Sequence, residues 1–269
     1  MFVGVSPCYP DQPLNGYDPA TSAYIARMTE PPTPARAALY DSAIVRPLKA
    51  ANVWDLFDSF LLIGMAVDSQ GANLNLIDAN YTLVPVNSPT FVTDRGYNLD
   101  GVTSYLRTSM LLNSLAKFKQ NAGHIGVWCN SAQGAATGRT DFGAQDATAR
   151  TDLRSYNTVA GDVAYRLNTL TIQTATTVAN ELGHTVINRT GSSAQSVYKN
   201  GAALTTFNQA STGLPSVELF LGANNNLGVA GGYTSRRYSA FHVGAPLTPQ
   251  NVADINGILS AGLTAVGAA

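Results

Sequence analysis

Alternation of apolar and polar side chains governs most of this chain, and short turn signals punctuate it. In SVYKNGAAL, residues 196–204, Val197 stands between Ser196 and Tyr198, and the pair Asn200-Gly201 follows. Both central positions of a two-residue hairpin turn need positive φ, which Asn tolerates and Gly adopts freely. After Gly213-Leu214-Pro215, Val217, Leu219 and Leu221 alternate with Glu218 and Phe220. GYNLDGVTSYLRT (96–108) places a turn at Asp100-Gly101 before a strand carrying Tyr105 and Leu106. HIGVWC (124–129), AYRLNTLTIQT (164–174), HTVINRTG (184–191) and YSAFHVG (238–244) read as further strands, and the apolar run at Phe60 to Ala66 as the first core strand. Many short strands separated by Gly and Asn turns predict a sandwich or barrel.

A helical period interrupts this pattern at both ends. Thr33 is placed to cap and Pro34 to open a helix whose Tyr40, Ala43, Ile44, Pro47, Leu48 and Ala51 share a face. Pro47 lacks the N–H that a helix interior uses, so a kink or a stop is expected there. Trp54, Leu56 and Phe57 continue helically toward the first strand, and upstream Tyr24, Ile25 and Met28 suit one short helical face. At the far end Thr248 caps and Pro249 opens a closing helix with Val252, Ile255, Leu259 and Leu263 on one side. Residues 1–20 carry Pro7, Pro10, Pro13 and Pro19 with Gly4 and Gly16, which predicts an extended arm. Its side chains Phe2, Val3, Cys8, Tyr9 and Tyr17 are the candidates for contact with a neighbouring subunit. The division is an arm at 1–20, a helical preface at 21–57 packed on the sandwich, and one β domain with its closing helix at 58–269. The fold class is mainly β: a two-sheet antiparallel jelly-roll sandwich with an N-terminal helical segment and a C-terminal helix.

Composition narrows the functions. Only 12% of residues are charged and the net charge is −1, with Arg236-Arg237 the sole adjacent basic pair. No basic stripe exists for a nucleic-acid backbone. No apolar run approaches the roughly 18 residues of a membrane span, and the first residues lack the basic and apolar regions of a secretory signal. Two cysteines, Cys8 and Cys129, make no disulfide framework. Cys129 reads as a buried thiol beside Trp128, and Cys8 as a free thiol in the arm or as a covalent link to the body or a neighbouring subunit.

The segments DGVTSYLRT, HIGVW, HTVINRTGSSAQSVYKNGAAL, VELFLGANN and YSAFHVGAPLTPQNVADI, in that order, resemble concanavalin A-like, laminin G-like jelly-roll domains. Tyr198 to Gly201 matches the Tyr-x-Asn-Gly turn that recurs there. Over residues 21–266, with VWDLFDSFLLIGMA, SPTFVTDRGYNLDGVTSYLRT and the closing helix with TAVGA, the chain is similar to a group of tailed-bacteriophage virion structural proteins. The resemblance implies a non-enzymatic virion component, assembled in the bacterial host cytoplasm. The expected role is capsid decoration, anchored to neighbouring subunits such as the major capsid or tail proteins; further copies of the chain are alternative partners. A glycan-binding adhesin module of a tail fibre or baseplate is the alternative function, with a host-surface glycan as its partner.

Catalytic patterns are weak. Glycoside hydrolysis needs paired carboxylates flanking one bond, yet Glu30, Glu181 and Glu218 have no carboxylate two residues away. Asp55 and Asp58 read as cap or loop residues. His124, His184 and His242 are about 60 residues apart and read as structural or surface histidines. No cofactor is expected; calcium is the one candidate, through Asp141, Asp146 and Asp152 of the long loop 130–152. For sugar binding, ANNNLGVAGGYTSRR (223–237) offers Asn224, Asn225, Tyr233, Arg236 and Arg237 on one connection, against the plainer reading of a long Asn- and Gly-rich turn.

Overall fold

A computed structural model describes residues 16–135, 137–158, 161–176 and 178–269. Strands are numbered along the chain. A six-stranded sheet runs in the order β1 (Phe57–Leu61), β17 (Tyr238–Gly244), β6 (Gly123–Cys129), β11 (Gly183–Arg189), β12 (Ala194–Lys199) and β13 (Ala202–Asn208). A second sheet runs β10 (Gln173–Ala175), β9 (Val163–Arg166), β8 (Arg150–Arg154), β7 (Phe142–Gln145), β14 (Glu218–Leu221), β5 (Tyr105–Leu111) and β2 (Val84–Val86). It also carries β15 (Asn224–Asn226), which pairs with β16 (Val229–Gly231) and, in parallel, with β7. A ribbon of β3 (Thr90–Val92) and β4 (Gly96–Asn98) stands apart. Every other pairing is antiparallel, so the chain is a mainly β sandwich as its alternation predicts.

The predicted Asn200-Gly201 turn joins β12 to β13 with φ of 49° and 83°. The helices are α1 (Pro19–Ile25), α2 (Pro34–Leu39), α3 (Arg46–Ala50), α4 (Ser69–Ala72) and α5 (Pro249–Ala265). Thr248 caps α5 in a reciprocal capping box with Asn251. The kink expected at Pro47 takes another form. A π-helical turn over Tyr40–Val45 joins α2 to α3, widening the ladder where the proline ring would press on the preceding carbonyls. The first strand also differs from the expected Phe60 to Ala66. It starts at Phe57 and ends at Leu61, and a 3-10 turn follows at Ile63–Met65. Gly64 explains the break: a side chain there would collide with Ser239. The Met65 carbonyl is then held by Tyr40 Oη at 2.8 Å and Arg36 Nη1 at 2.7 Å.

These elements form three layers. Ile125, Val127, Ile187, Phe241 and Val243 point from the six-stranded sheet toward Phe142, Leu153, Tyr165, Leu219 and Leu221 of the second sheet. On its other face Phe57, Phe60, Trp128, Val186 and Tyr198 meet Tyr24, Tyr40, Ile44, Leu48, Ile255 and Leu259 of the helices. The adjacent strands β1, β17 and β6 are therefore buried along their whole length.

All three histidines of the chain lie on the helix-facing side of this central sheet, and all are fully buried. His124 Nε2 is 2.9 Å from His242 Nδ1, and His242 Nε2 is 2.8 Å from His184 Nε2. His124 Nδ1 contacts the Ala245 carbonyl. That carbonyl can only accept, so His124 Nδ1 carries a proton, and because burial keeps all three rings uncharged one direction of donation follows. His124 donates from Nδ1, His242 donates to His124, and His184 donates to His242; each ring is then neutral. Burial lowers His124 to about 4 and His184 to about 3, and drives His242 well below its usual value. Gly126 makes the chain of rings fit, because a Cβ there would overlap His242.

Two outcomes are expected. Gly126→Ala should lower stability by more than about 3 kcal/mol, the order of a severe overpacking or a broken buried network; a denaturant midpoint equal to wild type would exclude the ring packing described. The histidines are also depressed in the folded state relative to roughly 6.5 unfolded. Their contribution is therefore intact above pH 6.5 and is lost as pH falls toward 4 and then 3. Unfolding at about pH 5 should take up close to three protons at the histidines, plus a smaller uptake at the carboxylates held low in the fold. Calorimetry in buffers of different ionisation enthalpy measures this, and uptake near zero would mean that the rings are charged in the fold.

Candidate functional site

The loop nominated from sequence for sugar binding is mostly committed to the fold. Asn224 and Asn225 are only 7% and 3% exposed, and Arg236 is 0% exposed. Asn225 donates to the Glu218 carbonyl at 2.8 Å and accepts from Gly228 N–H at 2.8 Å. Arg236 lies 3.3 Å from Asp141 and 3.4 Å from Glu181, and donates to the Tyr156 carbonyl at 2.8 Å. Tyr238 Oη adds a bond to Asp141 at 2.9 Å. Burial pushes the Glu181 carboxyl up, but the backbone N–H groups of Gln133 and Gly134 and the Arg236 charge outweigh it and hold it below its usual range. Arg236 is thus a node that ties together the rim loops of the sandwich. Tyr233 and Arg237 are half-buried. Tyr233 Oη donates to the Ala230 carbonyl at 3.0 Å, and Arg237 donates to Asn130 and Asn98 at 2.9 and 3.0 Å. The five residues therefore do not form an open platform of donors.

The three loop aspartates do not converge either. Asp141 belongs to Arg236, and Asp146 accepts from Thr148, Ala149 and Ser216. Asp152 is surrounded by Arg150, Arg154 and Arg166. Among the described residues no group of three His, Cys, Asp or Glu could hold a metal ion. Asp58 accepts the N–H groups of Lys117 and Phe118 at 2.9 and 2.7 Å. Cys129 is buried and its thiol is pushed up to about 12 by burial. Of the arm, Tyr17 donates to the Pro34 carbonyl at 3.2 Å, whereas Phe2, Val3, Cys8 and Tyr9 lie outside the described residues.

A different set of residues forms a cleft of about 390 Å3 where α5 meets the ends of β6, β11 and β12. Its lining is Trp128, Asn180, Leu182, Gly183, Asn200, Asn256 and Ser260. Strand period turns Trp128 to the helix side, and the four-residue spacing of Asn256 and Ser260 puts both on one face of α5. The β12–β13 turn closes one wall. Asn200 Oδ1 accepts the His184 N–H at 2.9 Å, and Asn200 N donates to the His184 carbonyl at 2.7 Å. The Trp128 ring lies on that of His184, with centroids 5.9 Å apart and planes 19° apart. Trp128 is 6% exposed, yet its indole Nε1 has no hydrogen-bond partner, and neither has Asn256 Oδ1.

An unpaired buried donor or acceptor costs roughly 1–3 kcal/mol, and two such atoms lie just behind the surface of this cleft. An aromatic wall, three carboxamides and a hydroxyl, with no charged side chain, suit a neutral polyhydroxylated ligand, and the volume falls within the ~300–1,000 Å3 of small-molecule sites. A second depression of about 430 Å3 at Lys49, Asn52, Trp54 and Asp55 offers less. There Lys49 Nζ sits 5.1 Å over the Trp54 ring and 2.6 Å from Asp18, so the aromatic face already carries a cation.

The Asn200-Gly201 pair is legible in the sequence as a turn, but not as a wall of this cleft. The spacing of Asn256 and Ser260 beside the apolar stripe Ile255 and Leu259 was the available signal for a polar wall on α5.

No protein family matches the sequence, and no curated protein does. Among solved structures, the fold is similar to the botulinum neurotoxin serotype D binding domain at 7% identity and a TM-score of 0.53, over 76% of this chain and 52% of that one. It is also similar to domain 4 of AbnA, a GH43 extracellular arabinanase from Geobacillus stearothermophilus in complex with arabinotriose. That match has 12% identity and a TM-score of 0.51, over 74% of this chain and 98% of that one. The likeness is one of fold. The chain spans about half the length of the toxin domain, and nearly all of the arabinanase domain.

Arg236→Ala should cost about 3–5 kcal/mol, because Asp141 and Glu181 would stay buried without their cation. Arg237→Ala, at a half-exposed site, should cost no more than about 1 kcal/mol. Equal urea midpoints for the two variants would contradict the node assigned to Arg236.

Proposed function

We propose that the chain is a non-catalytic glycan-binding module carried on a bacteriophage particle, and that the Trp128 cleft is its binding site. The observation that carries the reading is the unpartnered indole N–H in an uncharged cleft walled by Asn180, Asn200, Asn256 and Ser260. Sugars present C–H faces that pack on an aromatic ring and hydroxyls that both donate and accept, which is what this lining answers. The fold supports the reading in a general way, since one of the similar structures is a domain in complex with arabinotriose. The absence of turnover is supported by the engagement of Asp58, Asp141, Asp146, Asp152, Glu181 and Glu218 in bonds that hold loops and strands.

Placement on a virion rests on the sequence resemblance over residues 21–266. Capsid decoration through the arm and display on a tail fibre or baseplate are two placements of the same module. Immunogold labelling of intact particles separates them by marking the head or the tail tip, and unlabelled particles would remove both.

The binding reading is tested with a saccharide panel, using fluorescence of Trp128 in a Trp54→Phe background so that one indole reports. Saturable change with at least one neutral oligosaccharide is expected, with about a tenfold weaker affinity for the Asn256→Ala, Ser260→Ala double variant. Binding that ignores this double variant would move the site elsewhere, and a silent panel would end the reading.

A further inference from the structure

The outer face of the second sheet holds an imbalance of charge that neither the fold nor the Trp128 cleft uses. Strand period puts Arg150, Asp152 and Arg154 of β8 on one face, and Asp152 stands opposite Arg166 of β9. The single carboxylate meets all three guanidinium groups: Arg150 Nη2 at 2.8 Å, Arg166 Nη1 at 3.2 Å and Arg154 Nε at 3.7 Å. Asp152 is buried, while the arginine side chains keep only 15%, 16% and 15% exposure. Three cations against one anion leave two positive charges in a partly dehydrated patch. Arg150 Nε and Arg154 Nε have no hydrogen-bond partner. Burial lowers Arg150, Asp152 raises it, and its neighbours Arg166 and Arg154 lower it again, so the net direction is down. Asn224 lies over Gly143, the cross-strand partner of Asp152, on the same face, and its Oδ1 is also unpaired.

Buried charges are normally paired, and guanidinium groups pair best with planar or tetrahedral oxyanions through two parallel N–H bonds. Among the described residues Asp152 is the one carboxylate within ion-pair distance of these three arginines, and, unlike buried Arg189 with its four carbonyl acceptors, Arg150 and Arg154 leave their Nε groups unbonded. We infer that the Arg150–Arg154–Arg166 cluster is a binding site for an oxyanion: a carboxylate, sulfate or phosphate group, free or borne on a saccharide. The anion takes the place of the missing counter-charge, with Asp152 spacing the three guanidinium groups around it. This site lies across the sandwich from the Trp128 cleft and does not depend on it.

Arg154 is the variant to use, because it is the most distant of the three from Asp152. Sodium sulfate is titrated against the whole chain, with sodium chloride at equal ionic strength, and melting temperature and heat of binding are followed. A saturable rise with sulfate beyond that with chloride is expected, falling about tenfold in affinity in Arg154→Gln. In the absence of sulfate, Arg154→Gln should melt no lower than wild type, because it removes self-repulsion; Arg154→Lys should bind between the two. A sulfated disaccharide is compared with its desulfated form and with inorganic sulfate. Tighter binding of the sulfated sugar identifies a saccharide-borne group, and equal binding identifies the free ion. Equal effects of sulfate and chloride, an unaltered response in Arg154→Gln, or a lower melting point of that variant without sulfate would each overturn the assignment.

Discussion

Burial on both faces of strands β1, β17, β6 and β11 of the six-stranded sheet is the constraint from which the rest of this structure follows. A sandwich sheet ordinarily turns one face to water, and its polar side chains need no protein partner there. Here helices cover that face, so every polar group on it must be paired or neutral. Asn75 accepts the Phe60 N–H at 3.0 Å and donates to Ser59 Oγ at 3.0 Å. Asn188 exchanges two bonds of 2.9 Å with the backbone of Leu247. His124 and His242 satisfy the same demand with their neighbours and must be uncharged to do so, while His184 keeps one ring nitrogen unpaired. Gly126 is the steric counterpart of this solution.

The helical segments are therefore structural parts of the sandwich rather than attachments to it. Ile44 and Leu48 of the N-terminal segment and Ile255 and Leu259 of α5 share one apolar layer with Phe57 and Phe60. Where this layer stops, at the ends of β6, β11 and β12, the seam opens into a cleft beside Trp128, which stays buried. The Trp128 cleft arises at that boundary. Its position explains both its apolar back wall and the unmet valences of Trp128 and Asn256, which stand where the pairing rule of the covered face runs out.

The sequence displays what depends on local geometry. The Asn200-Gly201 turn and the Thr248-Pro249 helix start are each determined within a few residues and stand where expected, whereas AYRLNTLTIQT is not one strand but the antiparallel pair β9 and β10. Non-local pairing was not legible. His124, His184 and His242 are far apart in sequence, and only the adjacency of β6, β11 and β17 brings their rings together. Arg236 beside Arg237 in a Gly- and Asn-rich loop reads as exposed, because the two carboxylates that bury it come from residues 141 and 181. Alternation could have separated the two, since Arg236 and Tyr238 reach inward to the same Asp141 while Arg237 does not. The end of the first strand at Leu61 was hidden for a similar reason. It depends on Gly64 passing close to Ser239, a neighbour that no local pattern names.

Charge is scarce in this chain, and its other ion pairs among the described residues put no more than one cation on a carboxylate. Arg36 pairs with Asp94, Arg46 with Asp41, Lys49 with Asp18 and Arg107 with Glu218, and buried Arg236 has two carboxylates. Arg236 shows that this fold supplies counter-charges in excess where rigidity at a rim requires them. The cluster around Asp152 follows the opposite ratio, three cations to one anion, on a regular strand where a change of one side chain would restore balance. Stability gives no reason to keep like charges together in a partly dehydrated patch, since their repulsion acts against folding. A matching anion from outside the chain gives one, because the cations are already held in place and lose little freedom when it arrives.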